Sequence, residues 1–255
     1  MKFSQAFGTF LFIALGVARS LGAPSAEEII EKVKARSAEA ETRKINFAYQ
    51  RTSRVDYLDD EGKVKKNSVR VYEVGPMNGL PYSKLVQVNG RPATPQQESK
   101  RSAARETGDK TRNLALGEEL LCRYNYELRG EETVGGRNTW VLGFKPRSGV
   151  REDGFIDKLV NAMSGTMWVD QEDYELAKMD IHLGKKISFF GGLAGAIEKL
   201  DLQLVQKRVD STAWLTEGLS LDFTGRKLLT PVRFRCFENC TDFRKVSPLA
   251  QNQTP

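Results

Sequence analysis

Histidine occurs once in this chain, at His182, and cysteine three times, at Cys122, Cys236 and Cys240. A single imidazole excludes multi-histidine metal sets and the common histidine-dependent triads in their usual form. His182 alternates with apolar neighbours and reads as a structural or surface residue. Three cysteines are a poor count for a disulfide framework, and they lack the paired spacing of a zinc site. Cys236 and Cys240 stand four apart. In a continuous strand their Cα atoms lie about 13 Å apart, whereas a disulfide needs less than about 7 Å. They bond only where Phe237-Glu238-Asn239 turns or bulges, and are otherwise buried free thiols.

Other signatures are missing too. Gly191-Gly192-Leu193-Ala194-Gly195 lacks both the Lys-Ser/Thr ending of a phosphate loop and the dinucleotide spacing. Gly218-Leu219-Ser220-Leu221-Asp222 lacks the last glycine of a nucleophile elbow. Carboxylates are plentiful, but they fall in turns and on charged helix faces, with no pair placed for glycan cleavage. The net charge of +6 is scattered among interleaved acids, including around Lys100, Arg101 and Arg105. It forms no concentrated basic face for nucleic acid, though it allows weak attraction to an anionic membrane surface. No cofactor and no metal are expected, and the chain reads as non-enzymatic.

Long apolar runs are absent except near the start. Lys2 precedes a charge-free run of 13 residues, Ala6 to Ala18, and small residues follow at Ser20 and Gly22. This is the layout of a secretory signal peptide, and the run falls short of the roughly 20 residues that span a bilayer. Cleavage after Gly22 is expected; it removes Lys2 and Arg19 and lowers the net charge from +6 to +4. No cysteine adjoins the cut to carry a lipid. Residues 23–246 then form one domain and 247–255 a disordered tail, in an exported, monomeric protein.

What remains is patterned. Ser25 to Glu41 predicts an amphipathic helix with a Ser25–Glu28 capping box and an apolar side of Ile29, Ile30, Val33 and Ala40. Strand alternation follows over Lys44–Tyr57, Val64–Val74 and Tyr82–Val88, the last ending at the turn pair Asn89-Gly90. Thr94 to Leu121 is charged and helical in pattern. A second block alternates through Tyr124, Tyr126 and Leu128, turns at Gly135-Gly136, and returns through Trp140, Leu142 and Phe144. Phe155–Met163 reads as a short helix. Strands at Thr166–Val169, Tyr174–Leu183, Glu198–Val209, Thr212–Phe223 and Leu229 to about Phe243 complete the pattern. The expectation is an α+β fold: one large curved antiparallel sheet of about ten strands, an open β-barrel, with helices packed on its concave side.

Two features suggest binding. The strands supply Phe47, Tyr49, Tyr72, Tyr124, Tyr126, Trp140, Phe144, Trp168, Trp214 and Phe223, either as ordinary core or as the wall of an apolar cavity. Gly184 to Ala196 carries Phe189, Phe190 and Leu193 among pliable glycines, either as a flap at a cavity mouth or as a plain connector.

The order of elements resembles the periplasmic LolA/LolB-type lipoprotein carriers and their wider superfamily, which includes outer-membrane lipoprotein-sorting proteins and the N-terminal domain of the sigma-E regulatory protein. Tyr124–Phe144 is similar to their strand–Gly-turn–strand unit. Met167-Trp168-Val169-Asp170 with Tyr174-Glu175-Leu176-Ala177-Lys178 is similar to their next hairpin. The resemblance covers most of residues 25–245 and carries no catalytic motif. It implies an open barrel whose apolar cavity holds acyl chains, and a soluble periplasmic carrier of a lipid or lipidated protein. The other reading is a domain of the same fold that recognises an envelope protein.

Overall fold

The computed structural model describes residues 23–44, 46–77, 80–98, 121–150, 152, 154–189, 192, 194–211 and 213–246. The expected leader, the tail, Phe190 and Leu193 lie outside the described residues, as does most of the charged stretch Thr94–Leu121. Of that stretch, one helical turn at 95–98 is seen, opened by a reciprocal Thr94–Gln97 cap.

Helix α1 (Ala26–Lys44) is followed by β1 (Phe47–Leu58), β2 (Val64–Met77), β3 (Leu80–Val88) and β4 (Arg91–Pro92). After the intervening segment come β5 (Tyr124–Val134), β6 (Arg137–Pro146), α2 (Phe155–Val160), β7 (Met163–Asp170) and β8 (Leu176–Leu183). The chain closes with β9 (Ile187–Phe189), β10 (Gly195–Arg208), β11 (Trp214–Lys227) and β12 (Thr230–Lys245). The capping box is present at the start of α1: the Ser25 N–H donates to Glu28 at 2.7 Å and the Glu28 N–H to the Ser25 hydroxyl at 3.2 Å.

All twelve strands join one antiparallel sheet in the order β4-β3-β2-β1-β12-β11-β10-β8-β7-β6-β5, with β9 pairing onto β10. The two strands beyond the expected ten are the short β4 and β9. The expected helix at Phe155–Met163 stops at Val160, because Met163 already pairs with Leu183 as the first residue of β7. Sequence neighbours pair, except that β4 and β5 lie at opposite edges, β8 skips to β10 and the C-terminal β12 pairs with the N-terminal β1. The sheet is not closed; β4 and β5 are its free edges.

Alternation gives the sheet two chemically distinct faces. The inner face carries the main core. Ile29, Ile30 and Val33 of α1, Val160 of α2 and Leu121 pack there against Tyr124, Trp140, Leu142, Phe144, Met167, Val169 and Met179. The outer face is polar. His182, Asp201, Asp222 and Arg235 stand side by side across β8, β10, β11 and β12.

The β7–β8 turn is pinned by charge. Arg137 donates to both carboxylate oxygens of Asp170, at 2.6 and 2.9 Å, and to Glu172 at 2.9 Å. The N–H groups of Glu172 and Asp173 also donate to Asp170. Burial alone would push this carboxyl up, but Arg137 and the two backbone donors hold it below the usual range.

Candidate functional site

Following the inner face away from α1 leads off the core and onto an apolar strip. Cross-strand partners share a face, so the registers can be read as rows. One row runs Met167, Met179, Leu204, Leu219, Glu238, Ser53. The next runs Ile181, Leu202, Leu221, Cys236, Val55. A third runs Leu200, Phe223, Phe234, Tyr57, with the two phenylalanine rings stacked 4.9 Å apart at 21°. Met167 and Met179 are buried in the α1 cluster. Leu200, Leu202, Leu219, Leu221, Phe223, Phe234 and Val55 are only half-buried. Among the described residues no helix joins them in a buried cluster.

Arg51 lies at one side of this strip. It pairs with Cys240 and Tyr72 across β12 and β2, two residues before Ser53 on the same face. Its side chain is 10% exposed. One guanidinium nitrogen donates to the Ser83 hydroxyl at 3.4 Å, and another stands 3.9 Å from the Glu238 carboxylate. The group lies 4.8 Å over the Tyr72 ring, and its Nε has no hydrogen-bond partner among the described residues. A largely buried guanidinium with an unpartnered Nε and contacts this long is under-satisfied. Such a group can take an anion beside an apolar surface.

The aromatic residues named from sequence do not share one site. Tyr124, Tyr126, Trp140 and Phe144 belong to the α1-covered core. There the Tyr124 hydroxyl donates to the Val160 carbonyl and that of Tyr126 to the Leu121 carbonyl, while burial pushes the Tyr124 phenol up to about 12. Phe47 and Tyr49 form a second small cluster with Leu215 and Phe243. Trp214 is buried against the pinned turn, donating to Asp173 at 2.9 Å. Trp168 lies on the outer face, between Lys178 and Glu132. Tyr72 and Phe223 reach the strip and its arginine. Phe189 stands in β9, its ring 5.0 Å from that of Phe155. The leucines of the strip drew no attention as sequence. Their signal was the alternation Leu200-Leu202-Leu204 and Leu219-Leu221-Phe223, which any half-buried strand would show.

The disulfide condition is not met. β12 runs from Cys236 to Cys240 in unbroken register with Val55 to Arg51, and all three cysteines are free. With no turn between them the two sulfurs cannot meet. Both point to the inner face, where burial pushes the Cys240 thiol up to about 11 and also raises that of Cys236.

The outer face offers a depression of about 580 Å³ lined by Asp180, His182, Asp201, Gln203, Asp222 and Arg235. Its charges are mutually engaged: Lys199 lies 3.1 Å from Asp201 and 2.8 Å from Asp222, and Lys178 lies 3.0 Å from Asp180. Ser164 Oγ and His182 Nε2 are 3.0 Å apart, but the carboxylate opposite the histidine, Asp201, is committed to Lys199. Among the described residues no acid or histidine cluster could hold a metal, and no helix is long and apolar enough to cross a membrane.

No protein-family model and no curated protein matches the chain. Solved structures do. An outer membrane lipoprotein-sorting protein domain from Vibrio parahaemolyticus aligns over 89% of this chain and 97% of its own, with 13% identity and a TM-score of 0.40. A LolA superfamily protein from Nitrosomonas europaea aligns over 91% and 99%, with 12% identity and a TM-score of 0.37. A chain of the Pseudomonas aeruginosa MucA/MucB complex aligns over 86% of this chain and 99% of its own, with 10% identity and a TM-score of 0.25. The chain is thus similar, over most of its length, to solved structures of a LolA superfamily protein and of an outer membrane lipoprotein-sorting protein domain.

Proposed function

We propose that this chain is a non-enzymatic periplasmic carrier or binder that takes the acyl chain of a lipid or lipidated protein on the inner strip of its sheet. The observation that carries the reading is a row structure of leucines and phenylalanines, from Leu200 to Phe234, left half-buried beside the core in which α1 packs. About ten methylenes leaving water there supply roughly 8 kcal/mol, enough for micromolar binding with no catalytic group. Arg51 takes an acidic head group at the edge of the strip, where its spare donors face little competition. The sheet with its helix acts as an open barrel, and residues 23–246 act as one domain.

The test is native mass spectrometry of the protein purified from its own envelope, followed by lipid extraction. A discrete bound mass that extracts as lipid is expected, together with uptake of a fluorescent fatty acid by stripped protein. A clean unliganded mass with no uptake overturns the reading. If the same preparation then captured one envelope protein, the fold would be serving as an interaction domain.

A further inference from the structure

Six large apolar side chains are exposed among the described residues: Tyr57, Val64, Phe155, Leu228, Leu229 and Phe237. All but Phe237 stand at one end of the sheet. Leu228 and Leu229 form the tip of the β11–β12 hairpin, between the paired Lys227 and Thr230. Lys227 pairs with Gly195, which pairs with Phe189, whose ring meets that of Phe155. Across the sheet, Arg233 bonds Asp60 at 3.0 Å and so ties the β1–β2 turn to the start of β12. Tyr57 and Val64 flank that turn.

The hairpin tip breaks the local rules. A tight turn favours Gly, Asn, Asp or Ser. Here it carries two leucines, the first at φ 55° and 59% exposed, the second 85% exposed. A non-glycine residue in the left-handed region is strained, and neither side chain repays that by packing. Elements that violate local preference without a structural gain mark function.

Charge names the occupant. Lys227 adjoins the leucines, and Lys185 and Lys186 precede Phe189. Lys66 and Arg70 share with Tyr57 a cleft of about 360 Å³. Glu198 engages Lys186 and Asp60 engages Arg233. Among the described residues no ion pair engages Lys185 or Lys227. Exposed leucines with Lys227 beside them and Lys185 at the β8–β9 turn fit an anionic bilayer, into whose interface leucine enters while ammonium groups stay with the phosphates. The stacked Phe223–Phe234 pair begins the inner strip just inside this end.

We propose that this end of the sheet docks on an anionic membrane surface with the Leu228–Leu229 hairpin inserted. The inference does not depend on what the strip holds. Its test is flotation of the purified protein with vesicles of phosphatidylethanolamine alone and of equal parts phosphatidylethanolamine and phosphatidylglycerol. Binding to the anionic vesicles is expected. Leu229→Ser should weaken it about tenfold. Lys227→Ser should weaken it about fivefold on anionic vesicles alone. Phe237→Ser, on the outer face, should leave it unchanged. None of these side chains packs in the core, so thermal melts should match the unsubstituted protein. Failure to float with either vesicle overturns the proposal, as does an equal loss in Phe237→Ser. Loss of a captured envelope protein in Leu229→Ser, with no vesicle binding, would make this end a protein interface instead. Lipid content is read separately on the same samples. Protein that floats but extracts without lipid would refute the carrier reading and leave this one standing.

Discussion

The two halves of the sheet are built from the same alternating strands, yet they end in different physical states. In the β5–β8 half, α1 lies on the inner face, and Leu142, Met167 and Val169 are sealed from water. In the β10–β12 and β1 half, Leu219, in the row of Leu142 and Met167, and Leu202, Leu221 and Phe223, in the two rows beyond, remain half-buried. The charges differ in the same sense. Arg137, beside the covered half, forks onto Asp170 at 2.6 and 2.9 Å. Arg51, in the open half, finds only a hydroxyl at 3.4 Å and a carboxylate at 3.9 Å. One half is finished as a folded core. Among the described residues no helix joins the other half's apolar rows in a buried cluster.

The contrast can be broken most severely at the two arginines. Asp170→Ala should cost about 3 kcal/mol in denaturant unfolding, because it removes the buried acceptor of the Arg137 fork and of the Glu172 and Asp173 N–H groups. Arg51→Leu should cost less than about 1 kcal/mol, since a poorly paired buried charge is readily replaced by an apolar side chain. It should instead weaken binding of a fatty acid relative to its methyl ester. Equal losses of stability at the two positions would erase the distinction.

Leucine truncation gives the next largest separation. Leu142→Ala should destabilise by about 2–5 kcal/mol, whereas Leu221→Ala should cost about 1 kcal/mol or less and show itself in reduced uptake of fluorescent fatty acid. Trp140→Ala belongs with the first group, since Trp140 packs on Tyr174 inside the covered core.

Acid should open the covered half first. The carboxyl of Asp170 sits below its ordinary value, so its contribution is complete above the unfolded pKa of about 4. That contribution is lost as pH falls through the lower folded value. Chemical denaturation between pH 5 and pH 2, approximate bounds around that window, should show a steeper loss for the unsubstituted protein than for Asp170→Asn.

The smallest effect is at the thiols. Cys122, exposed, should be labelled first at mildly alkaline pH; Cys236 should follow and Cys240 come last, because burial holds both thiols up. Loading the strip with a fatty acid should protect Cys236, which stands between Leu221 and Val55, and leave Cys122 unchanged.

Local features were largely legible from sequence. The Ser25–Glu28 cap, the Ile29–Ile30–Val33 stripe, the Asn89-Gly90 turn and the main strand alternations are each fixed by residues a few places apart, and each appears in the structure. The candidate site was not legible in the same way. Trp168 and Trp140 look alike in a strand pattern, but one faces outward between Lys178 and Glu132 and the other faces the core. The arginine beside the strip looked like any other basic residue until β1 was paired between β2 and β12. Five exposed apolar residues, scattered from Tyr57 to Leu229, share one end of the sheet only once the strands are paired.

By itself, then, the sequence determined which segments are strands, which face of each is apolar, and that neither a metal set nor a familiar catalytic signature is spelled out. Those properties follow from side-chain period and short-range hydrogen bonding. Only the tertiary structure decided that β12 pairs with β1, that α1 packs into the core of the β5–β8 half, and that Tyr57, Val64 and Phe155 come to the same end of the sheet as Leu228 and Leu229. The period of a strand says that a face must be buried, while what buries it depends on contacts between residues far apart in the chain.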